Sequence, residues 1–125
     1  MANKPINETE WDVLNALWRG GPATARGITE ALSPTRGWAY STVKTVLDRM
    51  AEKGLVHARR VGNVWEYSAK VREGEARRSA WRRFLAGAFG GAVEPALGFI
   101  AHEAGLTPKE REKLARLIAE ARDDR

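Results

Sequence analysis

Residues 41–67 constrain the fold of this chain more than any other segment, because a helical repeat runs directly into two short stretches of β-forming residues. Apolar side chains recur at positions i, i+3, i+4 and i+7, which places them on one face of a helix. They are Val43, Val46, Leu47 and Met50. Gly54 is expected to end this helix, since glycine readily takes the left-handed backbone conformation found at helix ends. Residues 55–60 and 64–68 then surround Val61-Gly62-Asn63 and predict a β-hairpin.

Two shorter helices are predicted before this segment. Asn7 is a good N-terminal cap for the first, and Glu10, three residues later, completes a capping box. The buried stripe of the first helix is expected to consist of Trp11, Leu14, Leu17 and Trp18. Thr24 can cap the second helix, whose inward residues are predicted to be Ile28, Ala31 and Leu32. Three helices followed by a hairpin match a winged helix-turn-helix, so the predicted fold is mostly α with a small β-hairpin wing.

Residues 71–125 have the pattern of further helices. A long helix is expected to end at Gly90-Gly91, a shorter one to cover residues 93–103, and a last one to begin with Pro108 inside a capping box of Thr107 and Glu110. Their apolar residues include Trp81, Phe84, Leu85, Phe89, Leu97, Ile100, Leu114, Leu117 and Ile118. Because short helices bury little surface alone, we expect residues 71–125 to form a helical dimerisation region. The alternative is that these helices fold back onto residues 1–70.

Composition restricts the partner and the chemistry. The net charge is +5 and the pI is near 10.0, and residues 36–60 contain six basic side chains against two acidic ones, which favours an anionic partner. The absence of cysteine excludes disulfides, thiolate metal sites and cysteine nucleophiles. No phosphate-binding loop, paired carboxylates or nucleophile motif is present, so neither an enzyme nor a cofactor or metal site is predicted. No apolar run approaches the ~18 residues of a membrane span, which predicts a cytoplasmic protein without membrane insertion.

The polar start of the third helix supplies the side chains that DNA recognition needs. Hydroxyl groups contact phosphates or base edges, a threonine methyl packs on thymine, and cations bind phosphates. The groove contacts are predicted to be Tyr40, Ser41, Thr42, Lys44 and Thr45, with Arg36, Arg60 and Asn63 as phosphate or wing contacts. Asp48 and Glu52 lie further along the helix, where it would leave the groove. Residues 1–70 are therefore predicted to be a winged-helix DNA-binding domain. The rival hypothesis is a winged-helix protein-interaction module in a larger assembly, without sequence-specific DNA binding.

The same residues resemble the penicillinase repressor (BlaI/MecI) family. The resemblance is carried by Ile6-Asn7-Glu8-Thr9-Glu10-Trp11, Val13, Leu17, Trp18, Trp38, Thr42-Val43, Thr45, Leu47, Arg49-Met50, Lys53-Gly54, Gly62, Val64 and Tyr67. It covers the winged-helix half well and the C-terminal half only by length and helix pattern. The resemblance implies a homodimeric transcriptional repressor on an inverted-repeat operator of double-stranded DNA, controlling resistance or stress genes.

The resemblance also implies a way to release the DNA. Members of that family are cleaved in the dimerisation region, downstream of a membrane sensor-protease of the antibiotic response. The family's scissile Asn-Phe bond aligns with Gly98-Phe99 of this chain. Gly98 stands where the family has asparagine, so the resemblance implies only a possible cleavage site at Gly98 and Phe99.

Overall fold

The computed structural model describes residues 5–123, which form helices and a small antiparallel sheet, as the sequence predicted. In chain order the elements are α1 (Glu8–Gly20), β1 (Ala23–Thr24), α2 (Ala25–Leu32), α3 (Tyr40–Glu52), β2 (Val56–Val61), β3 (Val64–Ala69), α4 (Glu73–Phe89), α5 (Val93–Glu103) and α6 (Pro108–Asp123). Their contacts divide the chain into two compact units between Ala80 and Trp81, within α4.

Helices α1, α2 and α3 pack around one apolar core in the first unit. The capping box of α1 is confirmed: Asn7 Oδ1 accepts a hydrogen bond from the N–H of Glu10 at 2.9 Å, and Glu10 Oε1 accepts one from the N–H of Asn7 at 3.0 Å. The cap of α2 is confirmed too, since Thr24 Oγ1 accepts from the N–H of Gly27 at 3.1 Å. The buried core consists of Val13, Leu14, Leu17, Ala25, Ile28, Leu32, Val43, Leu47, Met50, Leu55, Val56 and Tyr67.

Two expectations about these helices are wrong in detail. Trp11 and Trp18 are half-buried rather than buried, and their rings pack edge-to-face with centroids 6.1 Å apart. A side chain as large as tryptophan is rarely enclosed completely. Ala31 is exposed, whereas Ala25 is buried. At 100° per residue, Ala25 falls on the same stripe as Ile28, and Ala31 falls to one side of it.

A third strand joins the predicted hairpin. β2 and β3 pair antiparallel around Gly62 and Asn63, and the φ of 64° at Gly62 fits a type II′ turn, which takes glycine at its first central position. β1 pairs antiparallel with β3 and places Ala23 opposite Tyr67, so the sheet order is β1-β3-β2. The sequence did not predict β1, because two residues are too few to show the alternation of a strand.

The first unit extends beyond residue 70. The indole Nε1 of Trp18 donates to the carbonyl of Val71 at 3.2 Å, and Val71 packs against the core. Ala76 of α4 is also buried. The structural division after Ala80 therefore differs from the predicted domains of residues 1–70 and 71–125, because the start of α4 belongs with the first unit.

The second unit contains the end of α4 together with α5 and α6. Gly90 and Gly91, with φ of 58° and 86°, separate α4 from α5 as predicted. The capping box of α6 is confirmed, since Thr107 Oγ1 accepts from the N–H of Glu110 at 3.1 Å and Glu110 Oε1 accepts from the N–H of Thr107 at 2.9 Å. These two bonds lower the pKa of Glu110. Among residues 81–121, Ala96 is the one buried side chain.

Candidate nucleic-acid interface

The exposed face of α3 carries the predicted helix contacts. Burial of Val43, Leu47 and Met50 turns the opposite face outward, and it exposes Tyr40, Ser41, Thr42 and Thr45. The hydroxyl of Thr45 donates to the carbonyl of Ser41 at 3.0 Å, so its proton is used within the helix. Ala39 precedes α3 with an extended backbone and supplies no side-chain cap. The first N–H groups of α3 therefore lack a cap acceptor, and this end of a helix attracts anions.

Lys44 has a defined position on this face. Its Nζ lies 3.1 Å from Asp48 Oδ1 and 5.8 Å from the centroid of the Tyr67 ring. Contact with Tyr67, followed by the hydrogen bond with Asp48, raises the pKa of Lys44. The ammonium group is therefore charged at neutral pH, as a phosphate contact requires.

The hairpin presents cations that are held by neighbours across the strands. Arg59 Nη2 lies 3.1 Å from Glu66 Oε1 of the facing strand. The guanidinium carbon of Arg60 lies 5.8 Å from the centroid of the Trp65 ring, and its Nε donates to the carbonyl of Gly62 at 3.4 Å. Trp65 remains exposed near the turn, so only Tyr67 of the face that the two aromatics share is packed in the core. That face is therefore packed only at the base of the hairpin.

A small cleft of about 150 Å³ connects the start of α3 with the hairpin turn. It brings Asn63 of the hairpin turn together with two predicted contacts of α3, Tyr40 and Lys44, and Trp65 and Tyr67 complete its lining. We refer to the predicted DNA contacts on α3 and the hairpin as the helix–wing surface. It comprises Tyr40, Ser41, Thr42, Lys44, Thr45, Arg60 and Asn63.

Arg36 lies outside this cluster. Its guanidinium group pairs with Glu8 at 3.0 Å and with Asp12, both on α1, and these hydrogen bonds raise its pKa. Arg36 and Asp12 border a separate cleft of about 620 Å³ against the end of α2. The phosphate contact of Arg36 stays a prediction. Two carboxylates already neutralise the charge of Arg36, so a phosphate would have to compete with them.

Two residues at this surface were missed by sequence reasoning. Arg26, in the first turn of α2, places its guanidinium carbon 5.4 Å from the centroid of the Tyr40 ring. Asp48 pairs with Lys44, a contact that sequence reasoning did not assign to either residue. The capping signal at Thr24 locates Arg26 in the first turn, but only the packing of α2 on α3 brings it to Tyr40.

The predicted dimerisation residues lie on the second unit. Trp81, Phe84, Phe89 and Phe99 form a continuous aromatic row, with successive ring centroids 6.0, 5.6 and 5.7 Å apart. Trp81, Phe84, Leu97, Phe99, Leu117 and Ile118 are exposed, and Leu85, Phe89, Ile100 and Leu114 are half-buried. Gly98 and Phe99, the possible cleavage site, lie within α5.

The residues that the structure describes offer no group of three or more His, Asp or Glu side chains placed to hold a metal ion. None of the helices within residues 5–123 is by itself long and apolar enough to cross a membrane. α4 and α5 reach that length and composition only together, and they meet at a bend of 93°.

The three-helix core, the three-stranded sheet and the polar face of α3 beside a basic hairpin define a winged-helix protein of the DNA-binding class. Comparison with known proteins agrees with this class. The model of the family described as penicillinase repressor matches residues 6–120. The chain therefore belongs to the penicillinase repressor family, and it is a DNA-binding transcriptional repressor.

Individual relatives match this chain at low identity. The methicillin resistance regulatory protein MecI of Mammaliicoccus sciuri is 26% identical over 114 residues, which cover 90% of this chain and 92% of that protein. An uncharacterized 16.5 kDa protein of Latilactobacillus sakei is 35% identical over 75 residues; the matched part is 60% of this chain and spans about half of that relative, 51%. The solution structure of monomeric Bacillus licheniformis BlaI with the blaP half-operator has a TM-score of 0.51 and 25% identity, covering 58% of this chain and 88% of that one.

Proposed function

We propose that this protein acts in the cytoplasm as a homodimer that binds an inverted-repeat operator and represses resistance or stress genes. Each protomer would place α3 in the major groove of one half-site and the hairpin against the adjacent backbone. No catalytic residue, cofactor or membrane insertion is assigned to it. A winged-helix module that binds only proteins is the rival function.

The helix–wing surface is the observation that carries the proposal. Tyr40 and Lys44 of α3 line one cleft with Asn63 of the hairpin turn, and Arg60 is exposed on the same hairpin, so one duplex can contact both elements at once. The relative from Bacillus licheniformis is described in complex with a half-operator, which supports the same mode here. Family membership favours DNA over a protein partner for this surface.

The exposed apolar residues of the second unit support a homodimer. Phe84 is 46% exposed and Leu117 is 51% exposed, and burial of these side chains against another chain would stabilise the complex. A second copy presents the same row and is the natural partner for a protein that reads a two-fold symmetric site. The dimer would hold two recognition helices at the spacing of the two half-sites.

Release of the operator by a membrane sensor-protease pathway is the finer part of the proposal. Phe99 is exposed but lies inside α5, and its ring packs 5.7 Å from that of Phe89. A protease needs an extended backbone, so cleavage at Gly98-Phe99 would require local unwinding of α5. Glycine at position 98 favours such unwinding, because it is destabilising in the middle of a helix.

Footprinting of the purified protein on the region upstream of its own gene tests the proposed function. We expect protection of an inverted repeat, and we expect a fragment with that repeat to be shifted in the presence of excess unrelated competitor DNA. A fragment with one half-site shuffled is the matched control and should lose most of the affinity. If competitor DNA removed binding to both fragments equally, sequence-specific repression would be excluded and the protein-interaction module favoured.

A further inference from the structure

Asp48 places a negative charge on the face of α3 that is proposed to meet DNA. It lies one helical turn after Lys44, where i and i+4 side chains are neighbours. The side chain of Asp48 is 63% exposed, and that of Lys44 is 36% exposed. A carboxylate in this position is unexpected for backbone binding, because DNA phosphates carry only negative charge and accept hydrogen bonds without donating any.

The Lys44 ammonium is held between this carboxylate and the core. Nζ lies 3.1 Å from Asp48 Oδ1 on one side and 5.8 Å from the centroid of the buried Tyr67 ring on the other. Both neighbours favour the charged form of Lys44, in keeping with its raised pKa. To reach a phosphate, Lys44 must give up the Asp48 contact and leave a carboxylate close to the DNA backbone.

The major groove offers what the phosphate backbone lacks. Guanine presents O6 and N7 as acceptors for a lysine, and the exocyclic amino groups of cytosine and adenine can donate hydrogen bonds to a carboxylate. Base edges of suitable sequence can therefore form hydrogen bonds with both members of a Lys–Asp pair. At other sites the DNA phosphates repel the carboxylate. Its charges cancel for non-specific binding, which depends on the number of phosphates neutralised.

We infer that Asp48 is a specificity-determining residue, which withholds Lys44 from DNA phosphates and accepts a hydrogen bond from a base amino group in the operator. The inference rests on the proposed operator binding. Asp48 thereby weakens binding to non-operator DNA more than binding to the operator.

The variant Asp48→Asn tests this, because it removes the charge with almost no change in size. Dissociation constants are measured by fluorescence anisotropy over a series of salt concentrations, with the footprinted operator and with a shuffled duplex of equal length and composition. For the shuffled duplex we expect about tenfold tighter binding and a salt slope steeper by about 0.9, the value for one added phosphate contact. Operator affinity should change less than about threefold, so the specificity ratio falls.

Two matched variants separate this role from a general charge effect. Glu52→Gln removes the same charge one further turn along α3 from another exposed side chain, and it should leave the specificity ratio nearly unchanged. In a Lys44→Ala background, Asp48→Asn should no longer steepen the salt slope, since the cation that it releases is absent.

Three outcomes would overturn the inference. One is an equal gain in affinity for both duplexes in Asp48→Asn, another is the same effect in Glu52→Gln, and the third is no change. A wild-type protein that did not distinguish the operator from the shuffled duplex would instead remove the proposed function, and the inference with it. A discriminating wild type with an unaltered Asp48→Asn ratio would remove the inference alone.

Discussion

The ion pairs of this chain differ in how deeply their charged side chains are buried. Lys53 Nζ contacts both carboxylate oxygens of Glu10, at 2.7 and 2.9 Å, and the two side chains are only 20% and 5% exposed. Arg59 and Glu66 make a pair of similar length at the surface of the hairpin. The sequence indicated Glu10 as a capping residue, but its pairing with Lys53 depends on how α3 crosses α1.

Replacing Lys53 by methionine should destabilise the first unit by about 3 kcal/mol, because it leaves a buried carboxylate without its cation. Arg59→Met is the matched control and should cost less than about 1 kcal/mol, since exposed pairs contribute little. Urea unfolding followed by tryptophan fluorescence measures both. Equal losses in the two variants would show that burial does not govern the Lys53–Glu10 pair.

Lys44→Ala should weaken operator binding about tenfold and change the salt slope little, because Asp48 keeps Lys44 from neutralising a phosphate and Lys44 instead contacts a base edge. The loss has two causes, because the variant removes a cation from the helix–wing surface and leaves Asp48 without its counter-charge. Anisotropy titrations at several salt concentrations provide the measurement. Lys109→Ala, an exposed lysine of α6, is the control and should bind as the wild type does. An unchanged operator affinity in Lys44→Ala would place Lys44 outside the interface.

The helices and strands were predictable where local chemistry determines their ends. The caps at Asn7, Thr24 and Thr107 involve residues three positions apart, so the sequence alone identifies them. Gly54 and Gly62, with φ of 79° and 64°, likewise end α3 and turn the hairpin. β1 was not predictable, because its two residues become a strand only through pairing with β3.

Gly62→Ala should destabilise the first unit by about 1–2 kcal/mol, because a side chain at positive φ is strained even where space is free. The same change at Gly74, in the first turn of α4, should stabilise it by about 0.5 kcal/mol, since alanine favours helix and its Cβ would meet Arg78 only at ordinary contact distance. Thermal unfolding of the two variants should therefore shift in opposite directions. A loss of stability in both would contradict the role of φ at Gly62.

At the scale of the whole molecule, the two units differ in how their apolar residues are arranged. The first unit encloses a core of twelve buried residues, whereas Ala96 is the one buried side chain among residues 81–121. The sequence identified the apolar stripes of the later helices but left open whether they fold back or meet a second chain. The aromatic row offers exposed apolar surface that the proposed second chain would bury.

Replacing Trp81, Phe84 and Leu85 together by serine should raise the dissociation constant of the dimer roughly a hundredfold, which corresponds to the loss of about 3 kcal/mol of apolar burial. Sedimentation velocity over a concentration series measures it. Arg83→Ser, in the same turns of α4, should leave the dimer intact. An unaltered dimer in the triple variant would exclude these residues from the interface.

The sequence by itself determined the class of this protein: the helix ends, the hairpin and the apolar stripes all follow from interactions within a few residues of chain. The tertiary structure decided which side chains of the candidate site are neighbours. In that structure Asn63 lines the cleft with Tyr40, and Lys44 pairs with Asp48 beside the Tyr67 ring. Arg36 instead pairs with carboxylates of α1. These placements depend on the packing of segments that are distant along the chain, and on how strongly each charge is drawn to a neighbour, so a local pattern of residues does not contain them.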